Sequence, residues 1–124
     1  MNLRAHARLR LLRGEDIAFG PGKADLLEAI RSTGSISAAA KALDMSYRRA
    51  WLLVETMNQC FDAPLVSSSK GGSGGGGAEV TAAGLELLAR YRELQSEVDA
   101  VLRKHLPLFE RKAGKPRRRA PRSG

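Results

Sequence analysis

The densest run of donors beside an apolar helical pattern is Ser46-Tyr47-Arg48-Arg49. Ser46 can cap a helix, and Ala50, Leu53, Val54 and Met57 continue from it as a helical core stripe, so the donors fall in the helix's first turn. Donors gathered at a helix N-terminus suit a polyanion. A guanidinium can take guanine O6 and N7 together or grip a phosphate, and hydroxyls donate to phosphate oxygens. The residue types leave open which of Arg48 and Arg49 would do which. Trp51 lies one position past the core stripe and is read as mainly structural, with covering of sugar-phosphate as the alternative. Glu55 could accept from cytosine N4, but a solvated or ion-paired Glu is the more ordinary reading.

Such a turn needs a rigid support, and Ile36–Glu55 supplies a helix-turn-helix pattern. Counting Ile36 as the first position, the fourth and fifth are Ala39 and Ala40, the eighth Leu43, the tenth Met45, the fifteenth Ala50 and the eighteenth Leu53. These are the places where helix crossing and core need small or apolar side chains. Position nine is Asp44 where glycine is usual, and Asp is one of the few other residues that tolerate the left-handed conformation a tight turn requires. Ser35 can cap the first helix of the pair, and Ser35, Ser37 and Lys41 extend the candidate face.

Around this unit, alternation predicts short strands at 8–12 and 16–19, and the spacing of Leu26, Leu27 and Ile30 predicts a helix over 22–33 that ends at Gly34. Leu65-Val66 and Glu79-Val80 flank a serine- and glycine-rich stretch and read as a hairpin, a wing, whose tip carries Lys70 toward a phosphate or groove. The run Gly71–Gly77 is a weak candidate for a nucleotide-phosphate loop, because no Gly-Lys-Ser/Thr follows it. Thr81 caps a last helix over about 81–105, in which Leu87, Tyr91, Leu94, Val98 and Val101 step by four and three, the spacing of a seam against another helix. Residues 106–124 are rich in Lys, Arg, Pro and Gly and are expected to form a disordered basic tail after a folded 1–102. The expected fold is mainly α with small β hairpins: a winged helix-turn-helix with a C-terminal dimerisation helix.

The chain has 124 residues and a formal charge of +8. Residues 1–102 carry 12 basic and 12 acidic side chains, whereas 103–124 carry nine basic ones against Glu110 alone, so the excess charge lies in the tail. A tail of this kind gives sequence-blind attraction to polyanions. Cys60 is the single cysteine and reads as a buried small hydrophobe, and His6 and His105 lack partners at ligand spacing, so no metal or catalytic site is expected. Without a long apolar run or signal-peptide pattern, a cytoplasmic, nucleoid-associated protein is expected.

Gly20-Pro21-Gly22, Leu26-Leu27-Glu28-Ala29-Ile30, Thr33–Ala40, Met45-Ser46-Tyr47, Arg49-Ala50-Trp51 and Gly74–Ala78 with Thr81 resemble the N-terminal DNA-binding domain of the ModE family of molybdate-responsive transcription regulators. A more distant likeness is to the winged helix-turn-helix of LysR-type regulators. The resemblance covers about 8–102 and implies a homodimer on a palindromic operator of molybdenum-related genes. Full-length members carry molybdate-binding domains after this region. Here 22 residues follow position 102, so no molybdate site, and no cofactor, is carried over. A standalone regulator, one served by a separate effector-sensing protein, and a piece of a longer chain all remain open. The other readings weighed are a sequence-indifferent architectural nucleoid protein held by its tail and a protein-interaction adaptor. An enzyme is the least supported, because no nucleophile, base and orienting group can be assembled.

Overall fold

The structure is a computed structural model and describes residues 3–69 and 77–114. The chain divides into two units: Arg8–Gln95, and Met1–Ala7 with Ser96–Gly124. In chain order the elements are β1 (Leu11–Arg13), β2 (Asp16–Phe19), α1 (Pro21–Thr33), α2 (Ile36–Ala42), α3 (Tyr47–Cys60), β3 (Val66–Ser69), β4 (Gly77–Val80) and α4 (Ala82–Lys112). This is the mainly helical, two-hairpin fold the sequence predicts.

The core of the first unit is built where the apolar spacing places it. Leu26, Leu27 and Ile30 of α1 are fully buried, as are Ala39 of α2 and Ala50 and Met57 of α3. Alanines at the α2–α3 crossing let the two backbones approach closely, which larger side chains would prevent. Gly34 ends α1 in the left-handed conformation, φ 81°, and its N–H donates to Ile30 O at 2.8 Å, so α2 can start two residues later.

The two hairpins are antiparallel and separate. In the first, pairing begins at Leu11 rather than at residue 8, and a bulge between Leu11 and Leu12 interrupts the register. The reason lies in α4: the Tyr91 hydroxyl donates to Leu9 O at 2.8 Å, so that carbonyl serves a side chain instead of a strand ladder. In the second hairpin Val66 pairs with Val80 and Ser69 with Gly77. Asn58 of α3 fixes its base, accepting from the backbone N–H groups of Leu65 and Val66 and donating to Val66 O. The Lys70 and Gly71–Gly76 part of the expected wing tip lies outside the described residues.

Thr81 caps α4 as expected, its Oγ1 accepting from the Gly84 N–H at 3.0 Å. The helix does not stop near residue 105. It passes through Pro107 to Lys112, which corrects the expectation that the tail begins at 106. Proline removes one helical donor and leaves the Arg103 carbonyl without its partner, but both residues are exposed and water can serve that carbonyl. In the second unit the Leu3 N–H donates to Glu110 Oε2 at 3.2 Å. Residues 115–124 lie outside the described residues.

Candidate nucleic-acid interface

The turn between α2 and α3 takes the form its residues predict. Ser35 caps α2, its Oγ accepting from the Ala38 N–H at 2.9 Å, and Ser46 caps α3, its Oγ accepting from the Arg49 N–H at 3.1 Å. Between them Asp44 has φ 57°, and it has the single positive φ among the described non-glycine residues. Capping occupies the two serine oxygens as acceptors while each hydroxyl hydrogen remains free to be donated.

The first turn of α3 is open to solvent. Ser46, Arg48 and Arg49 are exposed and Tyr47 is 55% exposed. Among the described residues neither guanidinium makes an ion pair; the three pairs present are Glu28–Arg31, Arg90–Glu93 and Asp25–Arg92. Ser37 and Lys41 are exposed on α2 and Ser35 is half-buried. The structure therefore brings Ser35, Ser37, Lys41, Ser46, Tyr47, Arg48 and Arg49 onto one helix-turn-helix, while Lys70 lies outside the described residues.

One cation behind this turn was not anticipated. Lys23, in the first turn of α1, is 6% exposed, and its ammonium is lowered from the ordinary 10.5, chiefly by desolvation and secondarily by the Arg49 charge, with Cys60 and Asp16 opposing. A cation in the first turn of a helix also meets the unfavourable end of the helix dipole. Lys23→Met is accordingly expected to raise Tm at pH 7. Because Lys23 loses its proton in the folded chain before it does in the unfolded one, wild-type stability recovers as pH rises from the folded-state value toward 10.5. The difference in Tm between the two proteins, followed from pH 7 to 10, should narrow.

Beside the exposed turn runs an open groove of about 650 Å³, bounded by the start of α2, one face of α3 and the wing strands. Tyr47, Trp51 and Glu55, each one turn beyond the last, form its helical wall, and Ser67 and Ser68 stand on the wing side. Trp51 is 42% exposed there, which places its ring on the groove rather than beneath the strands. At about 100° per residue Tyr47, Trp51 and Glu55 share the flank of α3 beside its buried Ala50, Val54 and Met57 stripe, so spacing groups the three, while the wing strands that close the groove are set by the fold.

The family model for the bacterial regulatory helix-turn-helix protein, lysR family, matches residues 23–85, which span α1 through the start of α4. The chain belongs to this family. Residues 23–85 are thus the family's regulatory helix-turn-helix region. Among similar proteins, the molybdenum-pterin-binding protein MopB of Rhodobacter capsulatus is 42% identical over 96 residues, covering 77% of this chain and 36% of that protein. The molybdenum transport protein ModE of Azotobacter vinelandii is 40% identical with the same coverage. The DNA-binding transcriptional dual regulator ModE of Escherichia coli is 37% identical over 89 residues, 72% of this chain and 34% of that protein. The chain thus spans about a third of the length of the curated relatives it matches. The crystal structure of ArgP from Mycobacterium tuberculosis aligns with a TM-score of 0.46 at 23% identity, over 67% of this chain and 30% of that one.

In this lysR-family chain the expected seam on α4 is partly taken up inside the fold. Tyr91 is 3% exposed and meets Phe19 edge-on at 5.0 Å between ring centroids, and Leu87 packs against the same core. Burial raises the Tyr91 hydroxyl above its ordinary 10.0, consistent with a neutral donor to Leu9 O. Leu94 is exposed, Val98 is half-buried and Val101 is 55% exposed. Leu87 and Tyr91 are thereby spoken for inside the fold, and of the five seam residues Leu94 and Val101 are the ones that stay exposed. Among the described residues no cluster of metal-ligand types occurs, and no helix is long and apolar enough to cross a membrane.

Proposed function

We propose that the chain reads specific sequences in duplex DNA with the first turn of α3 and regulates transcription of molybdenum-related genes as a homodimer on a palindromic operator. The observation that carries this is the capped, solvent-open Ser46–Arg49 turn, held by a rigid alanine crossing and bearing two unpaired guanidinium groups among the described residues. The molybdenum connection rests on the relatives named for molybdenum transport and molybdenum-pterin binding. Exposed Leu94 and Val101 support a second copy as partner, which would set two recognition helices about 34 Å apart on one face of the duplex. No catalytic step and no cofactor enters this reading, and a separate effector-sensing protein is a further possible partner. Recovery of bound genomic fragments tests it: sites are expected beside genes for molybdenum uptake or use, and sites scattered without a shared sequence would contradict it.

The architectural alternative assigns affinity to the basic tail. Deleting 113–124 removes Lys115, Arg117, Arg118, Arg119 and Arg122. Their loss should make the log–log salt dependence of binding shallower by up to ~4.5 per chain if each meets a phosphate. The preference for a specific site over random DNA is expected to survive this cut. Loss of that preference along with most of the binding would favour the architectural protein.

A further inference from the structure

Three side chains on the outer face of α3 are placed differently from ordinary surface residues. Leu52, 45% exposed, stands one turn beyond Arg48, Glu55 follows, and Trp51 lies to the wing side of that line. An exposed leucine beside an exposed tryptophan gives this face an apolar strip in the middle of a helix whose opposite face is already fully used. Glu55 is half-buried, and among the described residues its carboxylate makes no ion pair and accepts no hydrogen bond.

The groove flanking this strip has a distinctive balance of charge. Its lining holds the hydroxyls of Ser35, Ser37, Tyr47, Ser67 and Ser68, and Glu55 is the one ionisable carboxylate. Among the described residues, no lysine or arginine lines it. A phosphate seated beside Glu55 would meet repulsion with no compensating cation among the described lining residues. The occupant at that end must instead offer an N–H group, and beside the strip it must offer a methyl or other apolar group. In the major groove these are the exocyclic amine of cytosine and the C5-methyl of thymine.

Resting on the DNA-reading proposed above, we propose that α3 has a second specificity element beyond its first turn: Trp51 and Leu52 pack on thymine methyl groups and Glu55 accepts from cytosine N4. The half-site then carries a pyrimidine-defined stretch on the wing side of the base read by the first-turn arginines. Glu55 also discriminates negatively, since guanine O6 or thymine O4 at that position would set an acceptor against a carboxylate.

The test uses the full chain and selection from randomised duplexes, followed by titration of the selected site. Wild type is expected to enrich cytosine at one position per half-site, and Glu55→Gln to lose or redirect that preference, with about a 5- to 150-fold change in discrimination there. Replacing thymine by uracil in the selected duplex removes only methyl groups and leaves the protein untouched. Each critical methyl should cost wild type roughly threefold to fourfold in affinity. The Trp51→Ala, Leu52→Ala double variant should be insensitive to the same replacement and each single variant less sensitive than wild type, and melting curves confirm that the variants are folded. If wild type enriches a motif but Glu55→Gln keeps every base preference and uracil duplexes bind as well as thymine ones, this second element is refuted while sequence-specific binding stands. If no motif is enriched by wild type, the DNA-reading itself fails and takes this inference with it.

Discussion

Gly84→Ala is expected to destabilise the fold by about 3 kcal/mol, the upper part of the range for overpacking a close-packed site. A Cβ at this position would overlap Leu65 O and lie 2.6 Å from Val80 Cγ1. The first of these is backbone, and Leu65 O already accepts from the Thr81 N–H at 2.9 Å. Relief therefore requires moving the start of α4 off the wing, which also strains the Thr81 cap, whose Oγ1 accepts from Gly84 and donates to Pro64 O. Helix propensity alone would favour alanine by up to about 1 kcal/mol, so a loss isolates the steric conflict. For a domain of this size the Tm should fall by roughly 10–20 °C. Gly22→Ala is the matched control: it sits in α1 with nothing within 4 Å of the added atom and should leave Tm unchanged or slightly raised.

Replacing Arg48 and Arg49 together by alanine is expected to abolish site preference with the fold intact. Both side chains are exposed, and the Ser46 cap uses the Arg49 backbone N–H, which alanine retains. The single variants should behave differently from one another. Loss of a bidentate guanine contact removes about 1–3 kcal/mol of discrimination at one base position, roughly 5- to 150-fold. Loss of a phosphate contact weakens binding to all sequences alike and makes the salt slope shallower by about 1. Titration of each variant against the preferred and a scrambled duplex at several salt concentrations assigns the two roles.

Much of the helix-turn-helix was legible because its determinants are local. Small residues at 39, 40 and 50, serines at 35 and 46, and an Asp tolerant of positive φ at 44 act within a few residues of where they stand, and each is found in its expected place. Determinants that act at long range were not legible. Tyr91 fits a four-three seam by spacing, but spacing does not say whether the surface opposite is a partner or Phe19 of the same chain. The hydroxyl of the same side chain reaches back to Leu9 O, and the first strand starts later than expected. Composition places the start of the tail at 106, although an exposed helix can pass Pro107 when water takes up the freed carbonyl. Trp51 was read as structural from its nearness to the core stripe, and only the position of the wing strands shows the groove on which it stands.

The central claim is that the first turn of α3 selects DNA sequence and that two copies do so together. Selection by the full chain from randomised duplexes, in salt high enough to suppress attraction by the tail, tests both parts at once. The account predicts inverted copies of one short motif whose centres lie about one helical turn, roughly 10 bp, apart, or a multiple of that distance, and a motif that disappears in the Arg48→Ala, Arg49→Ala double variant. Enrichment of no motif, or of a motif the double variant retains, would contradict it.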